Sequence, residues 1–112
     1  MSGPRSRVKG LAGEREVAGA FREVGWTVRG LEGEGDWLAF RPAITDSECW
    51  PAGSAVTVHV EVKRAETLKL PMWLQQARDE APEGVPPVLC FRSNRMPWYA
   101  ALPLDDLLRL IG

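Results

Sequence analysis

Valine occupies every second position of the segment VTVHVEVKR, residues 56–64, and this alternation is the clearest pattern in the 112-residue chain. Because successive side chains of a β-strand point to opposite faces, the valines would form one apolar face. Thr57, His59, Glu61 and Lys63 would share the other face. The pattern therefore predicts a strand that packs in the core with its valine face and presents polar side chains on the opposite face.

Apolar positions elsewhere predict three helices and four more strands. Apolar residues at helical spacing predict a first helix over Gly10–Val24, which Gly25 would end. The other predicted elements, in chain order, are strands at Trp26–Gly30 and Asp36–Arg41, the valine strand, a helix over 71–81, strands at Pro87–Arg92 and Pro97–Leu102, and a helix at Leu104–Ile111. This order predicts an α/β fold with a mixed β-sheet flanked by helices, in which the first three strands form a meander and the central helix crosses over.

Length and composition are typical of one compact globular domain, with 45% apolar and 26% charged residues. No apolar run approaches the length of a membrane span, and the N-terminus lacks the apolar segment of a signal peptide, so we expect a cytoplasmic protein. Cys49 and Cys90 are isolated and the chain has one histidine. That usage favours two reduced thiols over a zinc site or a disulfide framework.

The charges are unevenly distributed, although the net charge is only −1. Three acids crowd the short segment 32–36, whereas the first nine residues contain three cations and no acid: Arg5, Arg7 and Lys9. We expect residues 1–9 to form a flexible basic arm that contacts DNA phosphates. A disordered end that only improves solubility is the alternative.

A helical wheel places Glu14 on the apolar side of the first predicted helix, about 20° from Phe21, while Arg15 and Glu16 point away from that side. A carboxylate that faces the interior is costly unless a cation, a hydrogen-bond donor or a water-filled cleft receives it. Glu14 is therefore either a site residue or a residue at the edge of the apolar stripe that reaches solvent.

Two further acids can join Glu14 if the second and third predicted strands are neighbours. Asp36 begins one of these strands, and Glu61 lies in the middle of the other, two residues before Lys63. Carboxylates gathered in this way repel one another unless a divalent cation offsets their charge, and oxygen ligands suit Mg²⁺. The pattern predicts a Mg²⁺ site, at which we expect Mn²⁺ to substitute. A solvated charge pair on an exposed sheet face is the alternative for Glu61 and Lys63.

Three segments carry a resemblance to a known family: KGLAGEREVA, VRGLEGEGD and VEVKR. They resemble the archaeal-type Holliday junction resolvases of the PD-(D/E)xK nuclease superfamily, which also occur in phages. The likeness extends to about Leu70, and beyond it only the predicted helices and strands are compatible. The resemblance implies a restriction-endonuclease-like fold, a homodimer, Mg²⁺ dependence and paired nicking of four-way DNA junctions.

The resemblance also implies roles for individual residues. Four residues match the catalytic positions of the family: Glu14, Asp36, Glu61 and Lys63. Arg15 and Arg29 match arginines that family members need for activity. Gly35 departs from the pattern, since it stands where the superfamily name has proline. A second departure is the long stretch between Asp36 and Glu61, with an extended loop around residues 44–53.

We therefore expect residues 1–112 to form a single nuclease domain that binds branched DNA, dimerises and needs no organic cofactor. Asp36 and Glu61 would hold the metal, with the Val62 carbonyl as a further ligand. Two alternatives stay open: a PD-(D/E)xK nuclease that acts on flaps, single strands or duplex DNA, and a DNA-binding module without catalysis. The run Met72–Leu74 is expected to contribute to the dimer contact, with at least one of its residues in the core.

Overall fold

The computed structural model describes the backbone of residues 4–31, 36–41 and 56–111, and the side chains of residues 12–30, 37–41 and 56–110. Several sequence-based expectations fall elsewhere. Gly35, Cys49 and the expected extended loop at 44–53 lie outside the described residues. The side chains of Arg5, Arg7, Lys9 and Asp36 do so as well.

The secondary structure follows the predicted order. Its elements are α1 (Pro4–Glu23), β1 (Thr27–Leu31), β2 (Asp36–Arg41), β3 (Val56–Arg64), α2 (Leu70–Glu80), β4 (Pro87–Arg92), β5 (Tyr99–Ala101) and α3 (Leu104–Ile111). The strands form one sheet in the order β1-β2-β3-β4-β5. The first three pair antiparallel, β3 and β4 pair parallel across α2, and β4 and β5 pair antiparallel. The predicted α/β fold with a mixed sheet is confirmed.

The first helix begins earlier than the sequence pattern suggested. It starts at Pro4, so the backbone of residues 4–9 is helical where we expected a flexible arm. Proline is well suited to a first helical turn, and the residues that follow it contain no second proline to interrupt the helix. The predicted arm thus continues α1, although its contact with DNA stays a prediction.

The C-terminal end of α1 is a Schellman motif. Gly25 has a positive φ of 95°, the Trp26 N–H donates to the Phe21 carbonyl at 3.0 Å, and the Gly25 N–H donates to the Arg22 carbonyl at 3.0 Å. The rings of Phe21 and Trp26 meet edge to face at 5.3 Å, which supplies the apolar contact typical of this cap. The predicted stop at Gly25 is confirmed.

The sheet separates two apolar clusters. The face toward α1 carries the β3 valines, which pack with Val17 and Ala18 of α1 and with Trp37 and Ala39 of β2. The face toward α2 carries Leu89 and Phe91 of β4, which pack with Trp73. Each face of β3 therefore lies against a different layer.

The run Met72–Leu74 is divided between core and surface. Trp73 is buried, Leu74 is half-buried against the same cluster, and Met72 is exposed. The expected core role for at least one of the three residues is confirmed, and the dimer contact stays a prediction.

Cys90 is a free, buried thiol on β4. Burial raises the pKa of Cys90 from 9.0 to about 12, so the group stays a neutral thiol at physiological pH. No helix among the described residues is long and apolar enough to cross a membrane.

Candidate metal centre

Asp36 and Glu61 are direct partners across the antiparallel pair β2–β3. Side chains at directly opposite positions share one face of the sheet, with their Cβ atoms about 5 Å apart. Two carboxylates that start from such positions can reach one cation. The predicted meander is confirmed, and its register places Asp36 and Glu61 where both could contact one metal ion.

Glu61 is buried on the face of the sheet that α2 covers. Its partner on β4 is Leu89, which packs against Trp73 of α2, and the Glu61 side chain is only 2% exposed. Lys63, on the same face, keeps 29% exposure and places its Nζ 4.0 Å from Glu61 Oε1. The two residues are therefore not the solvated surface pair that was the alternative reading of this strand.

A fourth acid reaches this site from α2, and the sequence analysis missed it. Glu80, the last residue of α2, lies beside the Glu61 carboxyl group, close enough for a side-chain hydrogen bond when one of the two carboxyl groups carries a proton. The pKa of Glu80 is lowered, first by a hydrogen bond from Gln76 Nε2 at 3.0 Å and then by the contact with Glu61 and the charges of Lys63 and His59. Glu80 itself is exposed, and the slight desolvation of its carboxyl group acts in the opposite direction.

The helical wheel of α2 contains the signal that would have found Glu80. Trp73, Ala77 and Glu80 follow the spacing i, i+4, i+7, which places Glu80 about 20° from Trp73. Trp73 and Ala77 are the buried residues of this helix. The same reasoning that selected Glu14 on the first helix therefore selects Glu80 on the second.

His59 is also buried on this face, with 1% exposure. Its side chain precedes that of Glu61 on the same face of β3. Its backbone N–H donates to the Pro86 carbonyl at 2.9 Å. The imidazole is near enough to help lower the pKa of Glu80. His59 is thus part of the surroundings of Glu61 rather than an isolated residue of the core.

Glu14 is half-buried while Arg15 and Glu16 are exposed, so the wheel of the first helix assigned its faces correctly. α1 packs on the valine face, opposite to Glu61. It does approach the same end of β3, because a methyl group at Gly13 would lie 3.7 Å from Val62 Cγ1. The convergence of Glu14 with Asp36 and Glu61 stays a prediction.

The arginines assigned to DNA contact lie in different places. Arg29 of β1 is exposed and opposite Leu38, which in turn is opposite His59. Arg29 therefore shares the sheet face that carries Glu61, at the edge that α2 does not cover. Arg15 is exposed on α1, on the other side of the sheet.

Among the described residues, no group of three or more His, Cys, Asp or Glu side chains converges as a metal site. The expected ligand set depends on Asp36, whose side chain is outside that description. Carboxylate oxygens from Asp36 and Glu61 and the backbone carbonyl of Val62 are hard donors. Their chemistry fits Mg²⁺ or Mn²⁺, which take oxygen ligands and keep part of their water shell.

Comparison with protein families gives a match over nearly the whole chain. A family model described as "Phage putative PDDEXK endonuclease" matches residues 5–111. The match covers every helix and strand of the sheet except the first residue of α1, and it includes Asp36, Glu61 and Lys63. Searches of curated proteins and of solved structures found no significant match.

Proposed function

The chain belongs to this phage PDDEXK endonuclease family and has the α/β restriction-endonuclease-like fold, and from that premise we propose that it is a Mg²⁺-dependent endodeoxyribonuclease that resolves four-way (Holliday) junctions. The observation that carries the proposal is the β2–β3 register. It sets Asp36 opposite Glu61, with Lys63 on the same face.

The residues in and around this site have different roles in phosphodiester hydrolysis. Asp36, Glu61 and the Val62 carbonyl would hold the cation, which when bound would supply charge stabilisation at the phosphate and lower the pKa of water. Lys63 is partly exposed beside Glu61, where its ammonium group can pair with a phosphate oxygen or orient the attacking water. Burial of Glu61 holds its carboxylate in place, so that little reorganisation is needed when DNA binds.

DNA recognition rests on basic side chains, one on the sheet face of this site and the others on α1. Arg29 lies on the sheet face of Glu61 and can contact the phosphates next to the cleaved bond. Arg15 and the N-terminal Arg5, Arg7 and Lys9 extend the contact along the branches of the junction. The protein acts as a homodimer, because resolution of a four-way junction requires two symmetric nicks.

The experiment compares a labelled four-way junction with a linear duplex of matched sequence, each with the purified protein and Mg²⁺. We expect the wild-type protein to make paired nicks in the junction and to cleave the duplex very little. Neither substrate should be cleaved by the Glu61→Gln variant, or by the wild-type protein when a chelator removes Mg²⁺. Asp79→Asn, which changes an exposed acid of α2 away from the site, should cleave like the wild type.

Two results would redirect the proposal. Equal cleavage of linear duplex, or a preference for flaps or single strands, would keep the nuclease and remove the junction specificity. Binding of the junction without nicking, with Glu61→Gln indistinguishable from the wild type, would contradict hydrolysis and leave a DNA-binding module.

A further inference from the structure

Two arginines stand side by side where the parallel strands β3 and β4 end. Arg64 is the last residue of β3, Arg92 is the last residue of β4, and the register makes them direct partners. Two residues earlier, Val62 and Cys90 are also partners, and both pack in the cluster that faces α1. Because side chains two residues apart share a face, both arginines point toward the α1 side of the sheet. Like charges at neighbouring positions repel each other, so this pair is unfavourable without an anion beside it.

Among the described residues, one carboxylate contacts this pair of arginines. Glu16 Oε2 lies 3.6 Å from Arg92 Nη1 and also accepts a hydrogen bond from Trp98 Nε1 at 2.8 Å. The Arg92 guanidinium carbon lies 5.6 Å from the centroid of the Trp98 ring. Arg92 is thus held by two neighbours, whereas the ion pairs of the described residues do not include Arg64. Two guanidinium groups therefore share a single counter-charge.

Both arginine side chains are partly withdrawn from water. Arg92 is 22% exposed and Arg64 is half-buried. In each of them the Nε atom is buried and has no hydrogen-bond partner within the described part of the chain. A buried stem restricts where the charged head can lie, and partial desolvation strengthens its attraction for an anion. The pair is a positive site that the protein itself neutralises only in part.

We propose that Arg64 and Arg92 together bind a phosphate of the DNA backbone. The inference rests on the proposed function, since it names a second place at which the same DNA is held. Guanidinium groups bind phosphate oxygens through paired N–H donors, and a phosphate offers enough acceptors for two of them. A phosphate between the two heads would also remove the repulsion between them.

The position of the pair relative to the candidate metal centre favours DNA over a free phosphate ion. Arg64 follows Glu61 by three residues, which is about 10 Å along a strand. This length corresponds to about three phosphate steps of 3.4 Å along one strand of duplex DNA. Lys63, the residue before Arg64, points to the opposite face, beside Glu61. A duplex arm that passes over this end of the sheet would contact Lys63 on one face and the arginine pair on the other.

Arg78 provides a control with the same charge at the other end of the sheet. It is exposed on α2 and lines a cavity together with Pro87. Pro87 is the first residue of β4, whereas Arg92 is the last. A substitution at Arg78 therefore removes one positive charge from the protein without changing the carboxyl ends of β3 and β4.

The test measures binding of a four-way junction over a range of salt concentrations, with Ca²⁺ in place of Mg²⁺ so that cleavage does not enter. We expect Arg64→Gln to bind about 10-fold more weakly at about 0.1 M salt, and the slope of log affinity against log salt concentration to decrease by about 1. Arg64→Lys should keep the slope and lose part of the affinity, because an ammonium group cannot form the paired hydrogen bonds. Arg78→Gln should bind like the wild type.

A double variant tests whether the two arginines hold the same phosphate. Arg92→Gln should weaken binding in the same direction as Arg64→Gln. If one phosphate lies between them, the double variant should lose less affinity than the product of the two single losses. A loss equal to that product would mean two independent contacts and would overturn the paired site.

Thermal unfolding without DNA separates binding from folding. Arg64→Gln should unfold at or above the wild-type temperature, because it removes the repulsion from Arg92. Arg92→Gln loses the ion pair with Glu16 and is expected to unfold at a lower temperature, so Arg64→Gln is the decisive variant.

Two results would overturn the inference and leave the proposed function standing, provided that the wild type still nicks the junction with Mg²⁺. One is an Arg64→Gln variant that binds the junction with wild-type affinity and slope. The other is an Arg78→Gln variant that loses as much affinity as Arg64→Gln. A wild-type protein that neither binds nor nicks the junction would contradict both proposals.

Discussion

At position 61 a carboxyl group is buried to 2% exposure among a lysine, a histidine and a second glutamate. A protein gains little stability from such a group, because removal of a charged or polar side chain from water is expensive even when partners are supplied. Residues that break the ordinary rule of apolar interiors commonly do so for a functional reason. Glu61 is thus the residue at which stability and activity should oppose each other.

Glu61→Gln tests that opposition. We expect the free energy of unfolding at neutral pH to be unchanged or higher by up to about 2 kcal/mol, since the amide is neutral and can donate to Glu80. Cleavage should fall at least about 100-fold, because a ligand matters more than the outer partners whose loss costs 10- to 100-fold. Urea unfolding and a cleavage time course provide the two measurements. A variant that unfolds more easily yet cleaves normally would show that Glu61 has a structural role.

Individual residues differ in how well the sequence predicts them. The exposures of Glu14, Arg15 and Glu16 follow from the helical wheel, because a helix turns by a constant angle per residue. The role of Glu16 does not follow from it. Glu16 Oε2 accepts a hydrogen bond from Trp98 Nε1 at 2.8 Å and lies 3.6 Å from Arg92, partners far along the chain.

At the scale of elements, α1 packs closely against the Trp98 ring at Gly13. A methyl group there would lie 3.2 Å from Cη2 of Trp98. The Trp98 ring donates a hydrogen bond to Glu16, and the Arg92 guanidinium carbon lies 5.6 Å from the centroid of the ring. The ring has little freedom to move away. At Gly19 of the same helix, nothing lies within 4 Å of an added methyl group.

The two glycines make a matched pair for substitution. Gly19→Ala should stabilise the protein by about 0.5–1 kcal/mol, because alanine restricts the unfolded chain and favours the helix. Gly13→Ala carries the same helix benefit but must displace Trp98, so we expect it to be less stable than Gly19→Ala by about 1 kcal/mol or more. Thermal or urea unfolding of both variants measures the difference. Equal stabilisation by both would mean that α1 does not press against Trp98.

Most element boundaries were predictable because the signals are local. β2 and β3 begin and end where valine alternation and flanking turn residues indicated, and Pro71 lies in the first turn of α2 as expected. The predicted start of α1 at Gly10 was wrong by several residues, because the helix begins at Pro4. No strong stop or cap occurs between Pro4 and Gly10, so the apolar stripe alone could not locate the first turn.

At the scale of the whole molecule, α2 covers part of one sheet face. Its contacts are with β3 and β4, and β1 with the exposed Arg29 lies beyond them on that face. The part of this face formed by β1 and β2 adjoins Glu61, so a DNA backbone bound at the site would lie near Arg29. The net charge of −1 means that such binding depends on where cations lie and not on total charge.

Arg29→Ala should therefore weaken junction binding, measured with Ca²⁺ in place of Mg²⁺ to suppress cleavage. We expect the slope of log affinity against log salt concentration to decrease by about 1, as for the loss of one phosphate contact. Arg109→Ala is the control, because Arg109 is 80% exposed on α3 and pairs with Asp106 at 4.0 Å. If both variants changed the slope equally, Arg29 would have no special position relative to the DNA.

The sequence by itself determined the elements, the two faces of β3 and the selection of Asp36, Glu61 and Lys63. Alternation along a strand and rotation along a helix are properties of neighbouring residues, so a pattern in one segment suffices to predict them. The tertiary structure decided that Asp36 stands opposite Glu61, that α2 closes over this face and brings Glu80 to it, and that Arg29 shares it. Register and helix placement depend on how distant segments pack together, and no single segment contains that information.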